Sequence, residues 1–104
     1  MTQNRKYTRI EFSTDITIEV AGEKQPGTTI NLSQGGALLH TTIPLEFGQK
    51  LSLVIDLPKI QETCVIPSVV RWRKDSNVGI QFEVLRAIEV WGINQLIGAK
   101  TQVI

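Results

Sequence analysis

This chain is poor in the groups that catalysis, metal binding and cross-linking draw on. Among its 104 residues there are one cysteine, one histidine and six aromatic residues. A single thiol, Cys64, cannot close an internal disulfide, which points to a reducing compartment. His40 has no companions at metal-ligand spacing, so no metal is expected. No acid–base pair or activated nucleophile stands out, which argues against an enzyme and leaves no cofactor to expect. Charge of one sign is also missing: 11 Lys and Arg against 10 Asp and Glu leave a net charge of +1. No global field therefore draws the protein to a nucleic-acid polymer or a membrane surface. Six aromatics are too few to line a groove for single-stranded nucleic acid.

Long hydrophobic runs are absent as well. The opening MTQNRKY has no apolar stretch behind its charges and does not read as a signal peptide. Residues 25–45 carry no charge over 21 positions, but they are full of Gly, Thr, Asn, Gln and Ser. That composition does not insert into a bilayer. The expected location is the cytoplasm.

What is present is a series of short β-type segments. Residues 1–14 are polar and read as a flexible leader ahead of the folded unit, ordered by a partner if at all. From Asp15 to Ala21, Ile16, Ile18 and Val20 alternate with Thr17 and Glu19, the period of a half-buried strand. Gly22 to Gly27, with Pro26 inside, reads as a turn. Thr28 to Leu32 continues the sheet and Ala37 to Thr42 returns. Leu51, Leu53 and Ile55 mark a fourth strand. Glu62 to Arg73 is a long fifth one, in which Pro67 predicts a bulge or an edge. Val78 to Val84 closes the set, with Ile80, Phe82 and Val84 facing one way. Six short strands separated by turns predict a six-stranded antiparallel β-barrel over residues 15–104. The period then changes, and a helix is expected over residues 86–98. Ile88 and Trp91 fall on one side of it, and Val90, Ile93 and Ile97 on another. The helix is read as a plug for one barrel end, with a homodimer through its second face as the sharper alternative.

Two stretches carry chemistry. Arg5 and Arg9 lie on the leader, and arginine suits both the phosphate fork and the O6/N7 edge of guanine. Asn31 and Ser33 stand two apart, which on a strand turns both side chains to one face. Asparagine can accept from and donate to a base edge, and a serine hydroxyl can do either. Gly35 and Gly36 permit positive φ and a close ligand approach. Trp72 is read as filling the barrel or covering its end, with stacking on a base as the alternative. Arg71 and Arg73 read as solvated strand residues, and Cys64 as a small buried hydrophobe.

With Arg-x-x-x-Arg at Arg5 and Arg9, and Asn-x-Ser-x-x-Gly at Asn31, Ser33 and Gly36, the chain resembles the PilZ domain family, bacterial receptors for cyclic di-GMP. Ile30 to Ala37 is similar to the family's core signature. Pro44-Leu45 with Gly48 fits its next loop, and Val69-Val70-Arg71 and Val78 to Phe82 its later strands. The resemblance covers nearly the whole chain. It implies a PilZ-type barrel with a C-terminal helix, acting in second-messenger signalling of the motility and biofilm kind. It implies cyclic di-GMP as ligand, held by Arg5, Arg9, Asn31, Ser33 and Gly36, with Gly35, Trp72 and Arg71 as further candidates. The family often has Asp at the place of Asn31, so here the charged acceptor for guanine N–H groups is missing. Asn4 before Arg5 leaves open one bound ligand or a stacked pair. A downstream protein partner is expected to read the bound state. The alternative within the same fold is an adaptor in motility or pilus machinery that binds no nucleotide.

Overall fold

The computed structural model describes residues 8–101. Seven strands run in the order β1 (Ile10–Glu11), β2 (Asp15–Val20), β3 (Glu23–Leu32), β4 (Gly36–His40), β5 (Lys50–Ile55), β6 (Cys64–Lys74) and β7 (Asn77–Phe82), followed by α1 (Ala87–Thr101). They pair in the order β1-β3-β2-β5-β6-β7-β4, and β4 returns to β3. Six strands thus close a barrel and β1 lies outside it on β3. Closure leaves few unpaired edges, which a small all-β domain otherwise has to protect.

The alternation read from the sequence builds the interior. Ile16 and Ile18 of β2, Leu51, Leu53 and Ile55 of β5, and Ile80 and Phe82 of β7 are all buried in one core. Val84 departs from this reading. It lies beyond the end of β7 and is 65% exposed.

The expected turn over residues 22–27 is instead mostly strand. Ala21 and Gly22 both have positive φ, 53° and 83°, and together form a two-residue hairpin turn between Val20 and Glu23. Two left-handed residues match the twist of the strands they join. Pro26 then sits inside β3 opposite Thr17. Its carbonyl accepts from the Thr41 hydroxyl, so its missing donor faces a side where the ladder to β4 has already ended at His40. Pro67 is accommodated in the same way. It pairs with Ser52, and its carbonyl accepts from Glu83 N just past the end of β7. A proline is tolerated wherever its nitrogen has no strand to donate to. The irregularity expected at Pro67 therefore lies elsewhere in β6.

It lies at Arg71, where the pairing with β7 slips between Val70 and Trp72, and a second slip occurs in β3 between Thr29 and Asn31. Each bulge inserts one residue and reverses the in–out alternation beyond it. In β3, Thr29 is buried, Ile30 and Asn31 both face outward, and Leu32 returns to the core. In β6, Val70 is buried while Arg71 and Trp72 both face outward. Trp72, read as filling the barrel or covering its end with base stacking as the alternative, does not fill the barrel: it is on the outer surface at 45% exposure.

From Ile10 onward the stretch read as a flexible leader is part of the sheet. Ile10 pairs with Leu32 and Glu11 with Asn31. The Thr29 hydroxyl donates to Phe12 O at 2.5 Å and accepts from Thr14 N at 3.0 Å, which fastens residues 12–14 to β3. Ile10 is 5% exposed, and burying such a side chain contributes roughly 1.5–3 kcal/mol.

The helix begins one residue later than expected and runs three further. Arg86 caps it: its carbonyl accepts from Glu89 N and Val90 N, and the Glu89 carboxylate reaches back to Arg86 N at 2.8 Å. This is the returning half of a capping box. Glu89 is buried and also holds the Arg86 guanidinium, which meets Glu62 on its outer side. Ile93 and Leu96 enter the core, and Gly92 lets the helix approach Ile60 closely. The helix thus covers the barrel end where β5 gives way to β6 and β3 gives way to β4.

Candidate functional site

At that same end a cleft of about 510 Å³ opens on the outer surface, lined by Arg9, the Ser33–Gly36 corner, and outward residues of β3, β6 and β7. Each wall has a local cause. Ile10 is buried and paired, so Arg9, its neighbour, is delivered to the rim. The β3 bulge turns Asn31 outward, and the β6 bulge turns Arg71 and Trp72 outward, all toward the same cleft.

The Ser33–Gly36 corner is a closed hydrogen-bonded turn. Ser33 N donates to Gly36 O at 2.9 Å, and the Ser33 hydroxyl accepts from Gly35 N at 3.1 Å and Gly36 N at 3.2 Å. The same hydroxyl lies 3.3 Å from Gly36 O, to which it donates. One proton and two lone pairs are thereby all used. Ser33 lies past the end of β3 and is 6% exposed, so it does not share a strand face with Asn31 as the spacing suggested. Its hydroxyl shapes the loop. Gly36 is likewise not at positive φ. It is needed because the β7 backbone comes so close that a Cβ there would lie 2.1 Å from Ile80 O.

Trp72 lies flat across the cleft wall against its cross-strand partner Gly79, where any Cβ would meet the indole within 2.7 Å. Arg71 is steadied by Gln81, whose Oε1 accepts from Arg71 Nε at 2.6 Å. Among the described residues, neither Arg9 nor Arg71 has a carboxylate within salt-bridge distance, whereas Glu83 on the cleft margin is taken by Lys50. Two uncompensated guanidinium groups make the cleft attractive to an anion. The Asn31 amide has no hydrogen-bond partner among the described residues and is free to meet a base edge. Arg73 points elsewhere, donating to Ile43 O.

Of the residues singled out from the sequence, the cleft brings together Arg9, Asn31, Ser33, Gly35, Gly36, Arg71 and Trp72; Arg5 lies outside the described residues. Sequence reasoning missed Gln81 and Gln34. Gln81 is signalled by the alternation of β7, whose outward positions follow from its buried Ile80 and Phe82. Gln34 donates to Asn94 of α1, tying the corner to the helix, and nothing in the linear order announces that contact. Among the described residues no group of three His, Cys, Asp or Glu could hold a metal, and His40 instead meets Asn77.

Comparison with known proteins agrees with this architecture. The PilZ domain model matches residues 3–99. The Bacillus subtilis inhibitor of motility (MotI/DgrA) superposes with a TM-score of 0.78 at 23% identity, covering 91% of this chain and 50% of that one. This chain thus spans half the length of that protein. The PilZ domain of CeSA from a cellulose-synthesizing bacterium gives a TM-score of 0.70 at 17% identity, covering 88% of this chain and 96% of that one. The PilZ domain of YcgR from Escherichia coli, solved with c-di-GMP, gives 0.68 at 18% identity, covering 94% and 92%. No curated protein matches the chain. With the family model spanning nearly all of its length, the chain belongs to the PilZ domain family.

Proposed function

We propose that this domain is a receptor for cyclic di-GMP, with the cleft at the helix-capped barrel end as its binding site. The observation that carries the reading is the pair of bulges. They turn a free amide, an aromatic ring and a guanidinium outward around one cleft whose rim holds a second guanidinium. The ligand presents matching chemistry: two phosphates, two flat rings, and hydrogen-bonding base edges.

Arg9 and Arg71 take phosphate or the O6/N7 edge of guanine, Trp72 offers a ring to stack on, and Asn31 meets a base edge. Gly36 and the Ser33 hydroxyl set the corner beneath the ligand. Arg5 enters the reading only through its place four residues before Arg9 in the Arg-x-x-x-Arg motif, as a further guanidinium for the ligand's phosphates. Ligand binding is then read by a protein partner, in keeping with a family of receptor and adaptor domains.

Titration calorimetry with cyclic di-GMP, with GTP and cyclic GMP as controls, tests this. Saturable binding of cyclic di-GMP alone is expected. Arg9→Ala should lose about 1.5–3 kcal/mol, the range of a charge-assisted hydrogen bond and tenfold or more in affinity. Unchanged affinity in Arg9→Ala would place the site elsewhere. Absence of any binding would leave the fold acting as an adaptor.

A further inference from the structure

Two arginines of this domain are held in opposite ways. Arg86, at the start of α1, is neutralised: the Glu89 carboxylate holds it at 3.0 Å and Glu62 meets it at 2.9 Å. Arg71 is held by an uncharged group. Its Nε donates to Gln81 Oε1 at 2.6 Å, and among the described residues no carboxylate lies within salt-bridge distance of it. An amide oxygen fixes a guanidinium without cancelling its charge, which a carboxylate in the same place would do. Fixing matters at this position. Arg71 is exposed, and the slip in β6 leaves it without a partner on β7, so no ladder pairing orients its long side chain. Gln81 is available to do so because Ile80 and Phe82 on either side of it are buried, which turns the glutamine outward.

The same contact selects which nitrogens remain. With Nε occupied by Gln81, the two terminal nitrogens of Arg71 are the free end of the fork, and that end suits two neighbouring acceptors. Trp72, next in the chain, lines the same cleft. Adjacent residues thus offer one group for the face of a base and another for its edge. We infer that Gln81 is a positioning residue for guanine selectivity, presetting Arg71 so that its free end meets O6 and N7 of a guanine stacked on Trp72. The inference rests on the cyclic di-GMP reading and deepens it. Guanine has two acceptors on that edge, whereas adenine has N7 beside an N6 amino donor, which leaves one guanidinium N–H facing another donor. Loss of the preset therefore lowers the preference for guanine as well as the affinity.

Calorimetry on the wild type, Gln81→Met, Arg71→Met and the double variant tests it, with cyclic di-GMP titrated directly and cyclic di-AMP by displacement. Methionine keeps the length of glutamine and removes the acceptor, and both positions are exposed, so unchanged circular dichroism is expected. Gln81→Met should lower the ratio of the two affinities by about three- to tenfold, the range of one hydrogen bond. Arg71→Met should lower it by about tenfold or more, the range of a bidentate base contact. Gln81→Met should add nothing once Arg71 is gone. Equal losses for both dinucleotides would assign Arg71 to phosphate and overturn the inference. A loss from Gln81→Met that persists without Arg71 would overturn it too, since Gln81 would then touch the ligand itself. If the wild type binds cyclic di-GMP and Gln81→Met leaves the ratio unchanged, this inference alone fails. A wild type that binds neither dinucleotide would remove the receptor reading, and this inference with it.

Discussion

Replacing Gly36 by alanine should be among the costliest single-methyl additions to this protein. The new Cβ would stand 2.1 Å from Ile80 O, 3.1 Å from Ile80 C and 3.2 Å from Gln81 Cα. Unstrained contacts of carbon lie near 3.5 Å, so the two backbones must part by about 1 Å or more. Neither can swing aside as a side chain would. Gly36 pairs with Gln81 in the ladder, and Phe82 N donates to Gly35 O at 2.9 Å next to it. Forced overpacking costs roughly 1–3 kcal/mol, and one weakened ladder bond adds about 1 kcal/mol. A loss of about 3 kcal/mol is expected, or a melting temperature lower by roughly 10–20 °C for a domain of this size. Urea unfolding followed by tryptophan fluorescence would measure it, as a lower midpoint with unchanged slope. Gly98→Ala serves as the control. It adds the same methyl group to open space within a helix and should be neutral or gain up to about 1 kcal/mol. If Gly36→Ala unfolds within about 1 kcal/mol of the wild type, close approach of β4 and β7 is not what selects glycine there.

Other expectations are more local. Ser33→Ala removes the hydroxyl that serves Gly35 N and Gly36 N. It should cost about 1–3 kcal/mol, with faster hydrogen exchange confined to those two amides; unchanged exchange would mean that the corner holds itself. Gly79→Ala collides with the Trp72 indole, a side chain that can rotate away, so its effect on stability should be smaller than that of Gly36→Ala. It should shift the tryptophan emission and, with the ring displaced, lower cyclic di-GMP affinity by about 1–3 kcal/mol in calorimetry. Burial, aided by the nearby Glu89 carboxylate, raises the Cys64 thiol above its ordinary range. The folded state therefore keeps its proton when the unfolded chain has lost it. The associated stability is full below about pH 8.5 and declines as pH climbs from there through the folded value. Urea midpoints from pH 7 to about 10 should fall in the wild type and fall less in Cys64→Ala; equal slopes would remove Cys64 from the account.

Much of the barrel was legible because its strands obey a period of two. Ile16 and Ile18, Leu51, Leu53 and Ile55, and Ile80 and Phe82 each face inward as their alternation says. The prolines misled the reading because proline suggests interruption, while the ladder spares Pro26 and Pro67 any donor to satisfy. Ile10 was missed because a two-residue strand is too short to show a period, and its burial depends on Leu32, 22 positions away. Of the candidate site, residue identities were legible and roles less so. Serine and glycine read as ligand-facing groups. In the fold one serves the turn with its hydroxyl, and the other admits a neighbouring strand.

Residue order alone determined the inward set and the helix that follows it, and it named Arg9 and the Ser33–Gly36 corner, which meet in one cleft. Side-chain periodicity is a local property, and burial of apolar surface enforces it. Which side Asn31 and Trp72 face was decided only in the folded barrel. Strict alternation from Thr29 and Val70 would send both inward. The bulges that reverse them arise from matching strands of unequal residue count around a closed sheet, and that constraint exists only once β3 meets β4 and β6 meets β7.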